Sequence, residues 1–134
     1  MRTDINPGRE AFAELLARAD EGPVVMLNLL KFRDDAGDGE TGRQAYNRYA
    51  QAIGPMIEEL GGRTRWIGDT GTLLVGDPQA QDWDAILLVE YPTRRAFADM
   101  VSRPDYLAAH EHRERALERT LLLQTHAVPG GAPF

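Results

Sequence analysis

The stretch "VVMLNLLKFR", Val24 to Arg33, decides the fold. It is rich in Val and Leu and free of Gly and Pro, which is strand composition. Side chains alternate along a strand. Val25, Leu27 and Leu29 therefore share one face, and Val24, Met26, Asn28, Leu30 and Phe32 share the other. A second stretch, "WDAILLVEY" at 83–91, behaves in the same way. Ala85, Leu87, Val89 and Tyr91 share one face; Asp84, Ile86, Leu88 and Glu90 share the other. A half-exposed antiparallel sheet alternates apolar with polar residues. These strands do not, so both faces need cover. The chain's own helices can cover one. For the other, the pattern predicts a second copy of the chain, sheet against sheet, because an open apolar face would be a large association-prone patch. The competing cover is the N-terminal helix.

Outward from these strands, the elements follow from local signals. "NPGREAFAELLARADEG" predicts a helix over 8–22, with Phe12, Leu15, Leu16 and Ala19 on one face. After the polar loop 34–42, "RQAYNRYAQAIGPMIEELGG" gives the clearest helix. Tyr46, Tyr49, Ile53, Met56, Ile57 and Leu60 mark its stripe, Pro55 inside it should kink it, and Gly61-Gly62 ends it. Residues 63–76 predict a hairpin or one bent strand turning near Asp69 to Gly71. Thr93 caps a short helix, Pro104 opens another, and "RTLLLQTHAV" is a last strand at 119–128. Without the first helix, the order is the βαββαβ pattern of ferredoxin-like folds, an antiparallel sheet with helices on one face. The expected domain is single, spanning 1–134: N-terminal helix 8–22, core 23–128 and tail 129–134.

The chain has 134 residues, a formal net charge of −6 and no cysteine. Disulfides and thiolate sites are thereby excluded. The net negative field opposes a phosphate backbone, so no nucleic-acid partner is expected. No apolar run reaches the length of a membrane helix, and "MRTDINPGREAF" lacks the apolar core of a signal peptide. The expected place is the cytoplasm, with no membrane partner.

Asn28 and Glu90 are the misfits. In this topology their strands are central antiparallel neighbours, and we place both residues on a shared face away from the helices, beside a cavity. A buried amide without a partner costs on the order of several kcal/mol, and a buried charge more. A ligand could satisfy them. So could plain structural partners: neighbouring backbone for Asn28, an arginine or solvent for Glu90.

The segments "VVMLNLLKFR", "YNRYAQAIGPMIEELGGRTRWIG", "WDAILLVEYPTRRAFADMVSRPDYLAAHEHRERAL" and "LLLQT" together resemble the domain of unknown function 1330, over about residues 23–126. The part "VEYP…AF…M…PDY…HR…AL" is the most specific. The resemblance implies a dimeric α+β barrel, a ferredoxin-like subunit paired with its copy. It implies no reaction. The wider superfamily includes cofactor-free monooxygenases, muconolactone isomerase-like proteins, chlorite dismutase-like haem proteins and small stress-responsive proteins, and fold alone does not choose among them.

His110 and His112 lie about 200° apart around a helix, so one ion cannot readily take both; neither a metal nor another cofactor is expected. His110 alone borders the inner stripe of its helix and is a candidate proton carrier. Arg113 beside it is a candidate for holding a carboxylate or enolate oxygen. Tyr46 and Trp66 are candidates to line an apolar pocket. The sequence thus predicts a homodimer binding an unknown small molecule. Glu90 and His110 are the catalytic candidates; Asn28, Tyr46, Trp66 and Arg113 are the binding candidates. Catalysis would be cofactor-independent, as in an isomerase or monooxygenase acting on a small organic acid, enol or phenol. The alternative is a non-catalytic dimeric module whose buried polar groups fix pairing register.

Overall fold

The computed structural model describes residues 2–131 and 133–134. Helix α1 (Arg9–Ala17) comes first, then strand β1 (Val24–Phe32), helix α2 (Gly42–Glu59) and strands β2 (Arg63–Asp69) and β3 (Ala85–Tyr91). Helices α3 (Arg94–Val101) and α4 (Pro104–Ala116) and strand β4 (Leu117–Thr125) complete the core, followed by a 3₁₀ turn at Pro129–Gly131. The sheet order is β2-β3-β1-β4, antiparallel throughout. This is the ferredoxin-like α+β fold, with an added N-terminal helix.

Local chemistry starts and stops the helices. Thr41 and Gln44 form a capping box on α2: Gln44 N donates to Thr41 Oγ1 at 3.1 Å, and Thr41 N donates to Gln44 Oε1 at 2.9 Å. Thr93 caps α3 through Ala96 N at 3.1 Å. Gly61, at φ 81°, closes α2 in the left-handed region that glycine tolerates. Gly42 has another reason to be glycine. A Cβ there would collide with the carbonyls of Arg33 and Ala116, where the start of α2 presses onto the ends of β1 and α4.

The sheet register settles which face is which. The helices cover the face carrying Val24, Met26, Asn28 and Leu30, all buried, together with Ala85, Val89 and Tyr91. Asn28 pairs with Leu87, while Glu90 pairs with Val25. Partners in an antiparallel ladder share a face, so Asn28 and Glu90 lie on opposite sides of the sheet. The expectation of a shared face away from the helices is corrected on both counts: Asn28 faces the helices and Glu90 faces away.

The face away from the helices presents Val25, Leu27 and Leu29 with Ile86 and Leu88, all half-buried, and Leu121 and Leu123 from β4, both exposed. Helix α1 does not cover it. Phe12 and Leu15 instead reach the helix-side core, and Arg95 N donates to Ala19 O at 2.8 Å, tying the end of α1 to α3.

The predicted hairpin over 63–76 is also corrected. Only 63–69 is a strand, and β3 takes one of its edges. Residues 70–84 form a loop closed at its base by Thr70 N donating to Asp84 O at 3.0 Å. Unpaired in this loop, Leu74 and Val75 stand 89% and 91% exposed.

Candidate functional site

The core between sheet and helices is incomplete. It holds a cavity of about 200 Å³, walled mainly by apolar and aromatic side chains. The floor is Met26, Asn28, Leu87 and Val89 from the central strands; Tyr46 and Tyr49 come from α2 and Tyr106, His110 and Arg113 from α4. Residues Asn6, Pro7 and Phe12 close one side.

Helical spacing explains the cluster on α4. Tyr106, His110 and Arg113 recur at intervals of four and three, so one face carries all three inward. Tyr46 and Tyr49 are three apart on α2 and meet them. The Tyr49 and Tyr106 hydroxyls are hydrogen-bonded at 3.0 Å, and the Tyr46 ring stands 5.3 Å from that of Tyr49. Burial raises all three phenols, Tyr46 to about 12 and Tyr49 well above its ordinary value. They are neutral hydrogen-bonding groups at physiological pH.

Arg113 is 6% exposed. Its Nη1 donates to Ile5 O at 2.7 Å and more weakly to Asn6 Oδ1 at 3.4 Å. Among the described residues no carboxylate pairs with it, and its Nε and Nη2 donate to nothing. His110 Nε2 meets Asn6 Oδ1 at 2.6 Å, and its Nδ1 stands 3.5 Å from Glu114 Oε1. An amide oxygen only accepts, so Nε2 carries the proton. Burial lowers the His110 pKa first, and the nearby Arg113 charge lowers it further, against a smaller opposing effect of Glu114.

Asn28 is 9% exposed, and its Nδ2 donates to Met26 O at 3.3 Å and Leu87 O at 3.2 Å. Backbone therefore satisfies the donor half of the amide. The acceptor half, Oδ1, receives no hydrogen bond among the described residues, and neither does the Tyr46 hydroxyl. The single fully enclosed side-chain polar atom without a partner, among the described residues, is Nη1 of Arg115. The unpartnered groups of Asn28, Tyr46 and Arg113 therefore border open space, and the cavity is that space.

Of the residues singled out in the sequence, Asn28, Tyr46, His110 and Arg113 converge on the cavity. Glu90 and Trp66 do not. Glu90 lies across the sheet, 3.4 Å from Arg63 Nε and 3.8 Å from Arg65 Nη1. Trp66 pairs with Leu88 on the outer face and is 59% exposed. The sequence reading missed Asn6, Tyr49 and Tyr106 as site residues. The two tyrosines carried a signal, since they fall on the same helical stripes as Tyr46 and His110. Asn6 carried none, being 104 positions from His110. Among the described residues no three His, Cys, Asp or Glu side chains gather as metal ligands, and no helix is long and apolar enough to cross a membrane.

The fold and this sparsely polar cavity define a ferredoxin-like α+β protein with room for a small molecule between sheet and helices. The chain belongs to the family of the domain of unknown function 1330, whose model matches residues 40–126. The RPA0582 protein of Rhodopseudomonas palustris, described as a protein of unknown function, is 38% identical in its methylated form over 98% of this chain and 100% of its own, with a TM-score of 0.86. That match reaches beyond the family segment to include the N-terminal helix. Two more distant structures share the fold. A dabb family protein with a ferredoxin-like fold from Mesorhizobium loti is 11% identical, covering 81% of this chain and 99% of its own, at a TM-score of 0.55. A dimeric protein of unknown function and ferredoxin-like fold from Bacteroides fragilis is 20% identical, covering 78% and 96%, at 0.50. No curated protein matches the chain.

Proposed function

We propose that this protein is a homodimer that binds a small organic acid in the cavity of each subunit. The observation that carries the reading is Arg113. A buried guanidinium without a carboxylate is costly, and here its free N–H groups border a cavity whose other walls are apolar. A ligand carboxylate would supply the missing charge and accept a forked pair of hydrogen bonds. The Tyr46 hydroxyl and Asn28 Oδ1 would orient the rest of the molecule by single polar contacts. The description of the Bacteroides fragilis protein as dimeric supports pairing, and the uncovered apolar sheet face offers the surface for it.

Binding is the primary reading, ahead of catalysis. Glu90 is across the sheet, and the two nitrogens of His110 face Asn6 and Glu114 rather than an open position. A catalytic version of the site, moving a proton in an enol or phenol, would run through His110 with Glu114 as its partner.

The test is calorimetric titration with hexanoate and with its uncharged counterpart hexanamide. Hexanoate should bind at least tenfold more tightly, and Arg113→Met should erase that preference. If neither compound binds, or the preference survives the substitution, the site is not an acid-binding site. A non-catalytic dimeric module then becomes the better description.

A further inference from the structure

The cavity does not end at Asn6, Pro7 and Phe12. On the far side of these residues lies a surface groove of about 370 Å³ between α1 and β4. The two spaces share Asn6, Pro7, Phe12, Met26, Phe97 and Leu122 in their linings, so they meet along one wall. The groove then continues over Ala11, Leu15 and Leu123, which do not touch the inner cavity. Its floor is apolar, while Asp4, Asn6, Thr120 and Gln124 supply its polar positions.

The partition is a short crossing of chain anchored on both sides. Before it, the Arg2 guanidinium donates to the carbonyls of Glu114, Leu117 and Glu118. After it, Arg95 holds Ala19 by backbone and Asp20 by side chain. Between these anchors, Phe12 is only half-buried. Rotating that one ring is a small event compared with moving either anchored end.

We infer that the ligand is an elongated amphiphilic monocarboxylate, its acid held at Arg113 in the inner cavity and its apolar tail passing Phe12 into the groove between α1 and β4. The inference rests on the acid-binding reading and extends it to ligand length. The inner cavity alone would select a compact acid. The adjoining second space, apolar along its floor and open to solvent, selects a chain. A tail there would be covered by Leu15 on one side and Leu122 on the other.

The experiment is a titration of the full-length protein with straight-chain carboxylates from hexanoate to dodecanoate, below their micellar concentrations. Each buried methylene contributes about 0.8 kcal/mol, or roughly fourfold in affinity. Affinity should keep rising at near that rate from octanoate to dodecanoate. Ala11→Trp, which fills the groove at a residue outside the inner cavity, should remove most of the gain for dodecanoate and leave hexanoate within about twofold. A wild-type series that levels off after hexanoate would overturn the inference while leaving the acid-binding reading intact. So would an Ala11→Trp protein that weakens hexanoate and dodecanoate equally. If no member of the series binds, the acid-binding reading itself fails, and the inference falls with it.

Discussion

Replacing Arg113 with methionine should leave the fold nearly as stable as it was, or make it more stable. Two opposed effects set the size of the change. The substitution removes one good charge-assisted hydrogen bond, Nη1 to Ile5 O at 2.7 Å, worth about 1.5–3 kcal/mol. The 3.4 Å contact to Asn6 adds little. Against this, the folded state no longer holds a guanidinium out of water without a carboxylate, a penalty of several kcal/mol per buried ion. Methionine keeps the packing of the aliphatic stem and tolerates an irregular space. The balance lies between about 1 kcal/mol of destabilisation and about 2 kcal/mol of stabilisation. Urea denaturation at a single protein concentration measures it, because the apparent stability of any self-associating protein depends on concentration. A loss above about 3 kcal/mol at an unchanged m-value would refute the reasoning. It would show that the guanidinium is a structural tie to the N-terminal segment, with no unmet charge for a ligand to answer.

Two other outcomes can be checked directly. His110 has a folded-state pKa below its ordinary value of 6.5, through burial first and then the Arg113 charge; the unfolded chain therefore takes up its proton at higher pH than the folded one. Stability from this group is complete above about pH 6.5 and declines as pH falls from there toward the folded pKa. Urea midpoints at pH 7.5 and 5.5 should fall less in His110→Gln than in the wild type; equal falls would assign the acid sensitivity elsewhere. On the outer sheet face, Leu27→Asp should weaken self-association by about a hundredfold, or roughly 2.7 kcal/mol, because it places an unpaired charge in an apolar interface. Sedimentation equilibrium reads the change, and an unaltered dimer would mean that the subunits pair through another surface.

Much of the fold was legible because it depends on short-range pattern. Alternation in "VVMLNLLKF" and "AILLVEY" separated the two faces of each central strand, and Thr93, Pro104 and Gly61 marked the helix ends where the structure has them. What alternation cannot say is how two strands are offset or which face meets the helices. That is why the pattern alone sets Asn28 and Glu90 on one face: a one-residue change of register exchanges the faces. The segment "TLLVG" has strand composition, yet residues 72–76 pair with no strand and lie in the loop between β2 and β3, although the outer edge of β2 is open. The site was half legible for a similar reason. His110, Arg113 and Tyr46 stand on amphipathic helices whose inward faces can be counted. Asn6 enters from irregular chain, with no periodicity to say that it would arrive between His110 and Arg113. Even Asn28 divides along this line. Its burial could be read from its neighbours, but that backbone would satisfy only the donor half of its amide depends on the carbonyls of Met26 and Leu87.

The Arg2 clamp on the α4–β4 junction also bears on how the protein comes into being. Its partner carbonyls lie 112, 115 and 116 positions later in the chain. At ordinary rates of synthesis, the arginine must wait on the order of ten seconds before those carbonyls exist. The wall of the cavity is thus among the earliest segments made and among the last set in place. A nascent chain would pass through an interval with its tyrosine-lined interior open on one side, and the protein would gain its binding compartment only as β4 closes onto the sheet.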